Sequence, residues 1–202
     1  METIKGAQLI TQNEINMGLL RPGDHIFTRF IKRSKGFYSH HGIYVGHGMV
    51  IHFVPVWPLK DGTEFPNPGP CEKCQGFNGG HHIIGVYGKV VTSCVGCFGN
   101  QIYLYRYGVS WPEALLNPST CCPYKSKPLD EAVKTANEKL NTGFGGYDPT
   151  TNNCEHFATF CRTGIKYSLL PIFEKFGDKV PELPVDELGK IAAGTNVSVA
   201  VM

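Results

Sequence analysis

The chain has 202 residues, a net charge of +2, and 42% hydrophobic against 18% charged residues. That length fits one domain, able to bury a core without staples. So small a net charge gives no electrostatic basis for nucleic-acid binding, and no apolar run reaches the roughly 18 residues of a transmembrane helix.

The 24 glycines and 14 prolines predict short elements joined by many loops. Residues 1–10 lack the basic stretch and apolar run of a secretory signal. A cytoplasmic chain is therefore expected, with its eight cysteines reduced rather than disulfide-bonded. Some of them should then be metal ligands or reactive thiols.

The first half reads as β-structure. A turn at Leu20-Arg21-Pro22-Gly23-Asp24 leads into a strand over His25–Phe30. Two β-prone runs, Tyr38–Gly46 and Met49–Phe53, flank His47-Gly48 and predict a hairpin. Residues 55–80 are rich in Pro, Gly and Asn and read as a loop or small insertion. Val86–Val91 and the aromatic-rich run Gln101–Tyr107 predict two further strands.

Helices follow. Pro128 opens one with Asp130 and Glu131 in its first turn, and Gly143 ends it. A second is expected from about Asn153 to Thr163, with Gly164 as its C-cap. Cys154, Phe157, Ala158 and Cys161 share one face of it. Pro171, Pro181 and Pro184 interrupt the tail, which reads as a peripheral helix or loose segment. The fold class is α+β: an antiparallel sheet packed with helices.

Asn153-Cys154-Glu155-His156-Phe157 puts a cysteine at a helix start, after the loop Gly145–Thr150. Partial positive charge and unpaired N–H groups there favour thiolate, the nucleophilic form. Such a nucleophile needs an imidazole base, and that base needs a third group to fix its tautomer. The hairpin offers His40, His41, His47 and His52. A turn centred on His47 sets Gly42 opposite His52. His40 and His52 then become diagonal neighbours on one face, with open space over Gly42. A slip of one residue would favour His41 instead. His41 otherwise shares the face of Ile43 and Val45 and is expected to be packed. His156 is expected to pack or cap.

These residues resemble a family. Tyr38-x-His40-x-Gly42-Ile43-Tyr44-Val45-Gly46, then Val50-Ile51-His52-Phe53, then Asn153–Phe157 is similar to the lecithin:retinol acyltransferase-like (LRAT/NC) domain. Arg21-Pro22-Gly23-Asp24 and Asn141-x-Gly143-Phe144-Gly145-x-Tyr147 look like it too, and the match is nearest to the plant NC-domain branch. The resemblance implies a circularly permuted papain-like (NlpC-type) fold over residues 20–164, with a cysteine-rich insertion at 55–100 and a tail at 165–202. It implies Cys154 as nucleophile, His40 as base and His52 as the polarising third residue.

The implied chemistry is a thioester acyl-enzyme serving an acyltransferase or acyl hydrolase. An acyl ester or phospholipid would be the substrate, and no cofactor is called for in catalysis. Backbone N–H groups at the helix start would hold the oxyanion. The alternatives are a thiol peptidase or amidase on the same trio, and a non-enzymatic interaction module. The basic run Lys32-Arg33-Ser34-Lys35 would suit peripheral contact with anionic headgroups.

Two Cys-x-x-Cys-x-Gly motifs, at Cys71/Cys74 and Cys94/Cys97, lie 19 residues apart. The spacing fits a closed four-thiolate structural zinc site, with glycine expected to permit the tight turn after each pair. Disulfides or uncoordinated thiols are the competing readings. His81 and His82 are alternative ligands, and Cys121-Cys122 is a candidate vicinal redox pair.

Overall fold

The computed structural model describes residues 8–10, 18–31, 37–55, 71 and 88–169. The β-branched and aromatic runs of the first half pair as strands, because such side chains pack well on a pleated, half-buried surface. They are β1 (Gln8–Ile10), β2 (His25–Ile31), β3 (Phe37–Gly46), β4 (Met49–Pro55), β5 (Gly88–Cys94) and β6 (Ile102–Leu104). Together they form one sheet in the order β1-β6-β2-β3-β4-β5. Each pairing in it is antiparallel.

The central hairpin is the one expected. Gly46 pairs with Met49, so His47 and Gly48 alone make the turn. Both have positive φ, 52° and 72°, as a two-residue turn matched to strand twist requires. Beyond an irregularity between Tyr44 and Gly46, the register puts Gly42 opposite His52 and Ile43 opposite Ile51. The slipped register is thereby excluded.

The run Gln101–Tyr107 departs from the single strand expected. It breaks at Tyr105 into β6 and β7 (Arg106–Tyr107), and β7 pairs in parallel with β8 (Cys121–Cys122). The Tyr105 hydroxyl oxygen lies 2.8 Å from both the Cys121 carbonyl oxygen and Glu155 Oε1. These buried bonds redirect the chain off the sheet, a tertiary effect invisible to local propensity. The strand read at Val86–Val91 runs from Gly88 to Cys94; Val86 lies outside the described residues. β1 was not anticipated.

Four helices complete the described structure: α1 (Val95–Phe98), α2 (Trp111–Leu116), α3 (Leu129–Thr142) and α4 (Cys154–Thr163). The last two end where expected, α3 at Gly143 and α4 at Gly164. Gly164 adopts φ 82°, and its N–H closes on the Phe160 carbonyl, the left-handed cap that glycine accepts without a Cβ penalty.

The sheet has two covered faces. On one, Ile43, Ile51, Phe53 and Val90 meet Ala136 of α3 and Phe157, Ala158 and Cys161 of α4. On the other, Ile26, Tyr44 and Val50 pack with Ile10, Leu20 and Phe98. A third cluster joins Phe27 and Tyr105 to Tyr167 and Leu169, so core packing continues past α4. Burying one such large apolar side chain contributes about 1.5–3 kcal/mol. The architecture is the α+β arrangement expected. No helix among the described residues is long and apolar enough to cross a membrane.

Candidate active site

α4 begins at Cys154 because Asn153 caps it. Asn153 Oδ1 accepts from the N–H of Glu155 at 2.9 Å and of His156 at 3.1 Å. His156 Nδ1 in turn accepts from the Asn153 N–H at 3.2 Å, a reciprocal capping box. His156 is thus a capping residue, as expected. This cap changes the oxyanion picture. The N–H groups of residues 155 and 156 are already engaged, and the cap does not involve the Cys154 N–H.

Cys154 is buried, at 2% exposure. Its sulfur lies 3.8 Å from the carbonyl oxygen of Ser39, next to His40 in β3. The Tyr147 hydroxyl donates to the same sulfur at 3.9 Å. Tyr147 stands on a braced loop. Asn152 Nδ2 donates to the Phe144 and Gly146 carbonyls, and Asn153 Nδ2 to that of Pro149.

His40 and His52 meet directly, with His40 Nε2 2.8 Å from His52 Nδ1. The rings are nearly perpendicular, with centroids 4.9 Å apart. His52 Nε2 lies 2.9 Å from Ser93 Oγ on β5. The chain Ser93–His52–His40 therefore crosses three adjacent strands. Burial lowers the pKa of His40 from 6.5 to about 4. Burial, then the neighbouring His40, holds His52 well below 6.5. Both rings are neutral at pH 7.

The space expected over Gly42 is filled by the ring of Phe98. That ring stands 5.2 Å from His40 and 5.4 Å from His52, centroid to centroid. A Cβ on Gly42 would come within 2.7 Å of Val50 Cγ1 and 3.0 Å of Phe98 Cε2. Glycine here is what allows ring and strand to approach.

His41 faces the other way and packs, as its strand neighbours predict. His41 Nδ1 lies 3.0 Å from His25 Nε2, and His25 Nδ1 lies 2.6 Å from the Tyr107 hydroxyl. Burial keeps both rings well below their ordinary pKa.

Glu155, next to the cysteine, is 2% exposed. It accepts hydroxyl bonds from Tyr105, Ser119 and Ser168. Burial raises its carboxyl to about 7 against the pull of those hydroxyls. Sequence reading missed Ser93, Phe98, Tyr147 and the role of Glu155. Ser93 could have been found from the pairing of β4 with β5, which opposes Val91 to His52 and makes Ser93 its diagonal neighbour.

Of the four cysteines read as metal ligands, Cys71, Cys94 and Cys97 come together. Their sulfurs lie within 4.8 Å of one another, and Cys71 and Cys94 are 3.6 Å apart. These three could hold a metal ion. Cys74, His81 and His82 lie outside the described residues, as does the basic run 32–35. The second motif does not form the tight turn expected after its cysteines. Residues 95–98 wind as α1, and Gly99 packs directly onto Thr28, where a Cβ would collide. Cys121 and Cys122 are fully buried, and burial raises both thiols, which opposes a reactive role.

A family model described as lecithin retinol acyltransferase matches residues 19–167. Protein LEAD-SENSITIVE 1 of Arabidopsis thaliana is 35% identical over 171 residues, covering 77% of this chain and 62% of that protein. Lecithin retinol acyltransferase of Bos taurus is 31% identical over 157 residues, covering 77% and 61%. Egg-laying defective protein 26 of Caenorhabditis elegans is 26% identical over 172 residues, covering 81% and 47%. The chain spans about three fifths of the length of the first two relatives. The Arabidopsis relative agrees with the plant-branch resemblance, and the chain belongs to the lecithin retinol acyltransferase family.

Proposed function

We propose that this chain is a thiol acyltransferase or acyl hydrolase working through a thioester on Cys154, with phospholipid acyl chains as the substrate class. The observation that carries this reading is the 2.8 Å His40–His52 contact, together with a capped helix-start cysteine whose sulfur lies 3.8 Å from the carbonyl of Ser39, the residue before His40. In papain-like enzymes the cysteine precedes the histidine in the chain. Here His40 precedes Cys154, the order a circular permutation would produce.

For His40 to act as the base, the protons must run one way along the bond chain. His40 Nε2–H donates to His52 Nδ1, and His52 Nε2–H donates to Ser93 Oγ. His40 Nδ1 then carries the lone pair that takes the Cys154 proton. The thiolate attacks the acyl carbonyl. The Cys154 N–H and the Tyr147 hydroxyl donate to the resulting oxyanion. Collapse expels the alcohol, which leaves with the proton from His40. A second alcohol, an amine or water then attacks the thioester, gives its proton to His40, and departs with the acyl group as the thiol reforms. No cofactor enters these steps.

The domain is taken as residues 20–164, with the insertion at 55–100 and a tail at 165–202. Within the insertion, zinc on Cys71, Cys74, Cys94 and Cys97 would act structurally, as thiolate-rich closed sites do. A cytoplasmic setting with peripheral membrane contact suits this substrate class.

The test is a substrate panel. Phosphatidylcholine vesicles carrying a labelled acyl chain should lose label to water or an added amine, and Cys154→Ser should abolish the loss. Turnover of small peptide amides with no release from any ester would replace this reading with a thiol amidase.

A further inference from the structure

We propose that Cys71, Cys94 and Cys97 form a soft-metal site whose occupation positions the His40–His52 pair, through Ser93 and Phe98. The effect on acyl transfer rests on the function just proposed; the metal site and its link to the histidines do not.

The three sulfurs converge from separate places. Cys94 ends β5, Cys97 lies in α1, and Cys71 arrives from the insertion. A tetrahedral zinc with bonds of about 2.3 Å sets its sulfurs about 3.8 Å apart. The Cys71–Cys94 distance of 3.6 Å is close to that and far beyond a disulfide bond of about 2.05 Å. An all-thiolate set selects a soft or borderline cation of the zinc class. Cys97 is exposed, which provides a path for entry.

Two of the ligands are also flanked by residues that touch the histidines. Ser93, the partner of His52 Nε2, immediately precedes Cys94. Phe98, which packs on both imidazoles, immediately follows Cys97. α1 has four residues, too few to hold a helical turn by itself. Its ends are tied down by the Val95 N–H on the Gly48 carbonyl at 2.8 Å and by Gly99 against Thr28. A metal bridging Cys94 and Cys97 would clamp the turn between those ties, and with it the depth of Phe98 over the histidines. Loss of the ion would free Phe98 to move and shift the end of β5 that presents Ser93.

The experiment uses the full chain carrying Cys154→Ser, reduced and stripped with a chelator, so that the proposed nucleophile cannot bind metal. Titration with Co²⁺ should give the intense thiolate charge-transfer absorption of a one-to-one complex, and Zn²⁺ should displace it. Cys97→Ser and Cys71→Ser should each weaken binding about tenfold or more, since losing even a supporting group costs 10–100-fold. In ¹⁵N spectra of the imidazoles, Zn²⁺ should shift the His40 and His52 resonances in the Cys154→Ser protein. Those resonances should not shift in the added Cys97→Ser variant, an exposed position where serine leaves the fold intact. Absence of the absorption band, or binding indifferent to both substitutions, overturns the site. Tight binding with unmoved His40 and His52 resonances overturns the link. Metal-dependent resonances in a protein whose wild type transfers no acyl group uphold this proposal and reject the acyl-transfer reading instead.

Discussion

Replacing Glu155 by glutamine should change how stability depends on pH, and the structure sets the size. The carboxylate is buried at 2% exposure, and burial raises it from 4.5 to about 7. Between those values the folded chain keeps a proton that the unfolded chain has released. The stabilisation from this proton is complete below pH 4.5 and is lost as pH rises through about 7. At about 1.4 kcal/mol per pH unit, the loss is roughly 3 kcal/mol. Histidines act in the opposite sense. His156, lowered to about 4 chiefly by burial, costs stability as pH falls from 6.5 to 4. That limb is common to wild type and Glu155→Gln, so their difference isolates the carboxyl. Urea unfolding of both proteins at pH 4.5, 5.5, 6.5, 7.5 and 8.5 measures it. Glutamine should gain on wild type by roughly 3 kcal/mol from pH 4.5 to 8.5. Parallel stability curves would refute the buried-carboxyl reasoning.

Gly42→Ala should destabilise by about 1–3 kcal/mol through overpacking, because its Cβ would meet Val50, Phe98 and His52 at 2.7–3.1 Å. Denaturant midpoints check the stability, and disturbed His52 imidazole resonances check the cause; an unchanged midpoint would oppose it. His52→Phe removes the acceptor that fixes the His40 tautomer and should slow Cys154 acylation by about 10²–10⁴-fold, the usual range for acid–base assistance. A rate within threefold of wild type, measured by stopped-flow with an activated ester, would count against a role for the pair. Asn153→Ala removes the α4 cap and should cost about 1 kcal/mol, readable by urea denaturation. No measurable cost would mean that the cap contributes little to the nucleophile's placement.

Much of this site was legible in the chain because its determinants are local. His47-Gly48 makes a short turn of positive φ, and the turn together with the irregularity between Tyr44 and Gly46 sets Gly42 against His52. Asn153 and Gly164 bracket α4 through capping chemistry written within a few residues. The missed features depend on distant partners. Tyr105 leaves its strand for Cys121 and Glu155, 16 and 50 positions away. Phe98 fills the room over Gly42 from α1, a turn that reads locally as metal-binding loop. Glu155 could not be singled out locally, since its three hydroxyl partners come from three separate segments.

The central claim is that Cys154 becomes acylated with help from His40 and His52. The most direct measurement is mass spectrometry of the intact chain and its Cys154 peptide, after quenching a reaction with a short-chain phospholipid or activated acyl ester at acidic pH. The account predicts one acyl mass on Cys154, removed by hydroxylamine, absent in Cys154→Ser and slowed in His40→Phe. An adduct that forms equally fast without His40, or no adduct across a broad donor panel while an alkylating reagent still reaches Cys154, would contradict it.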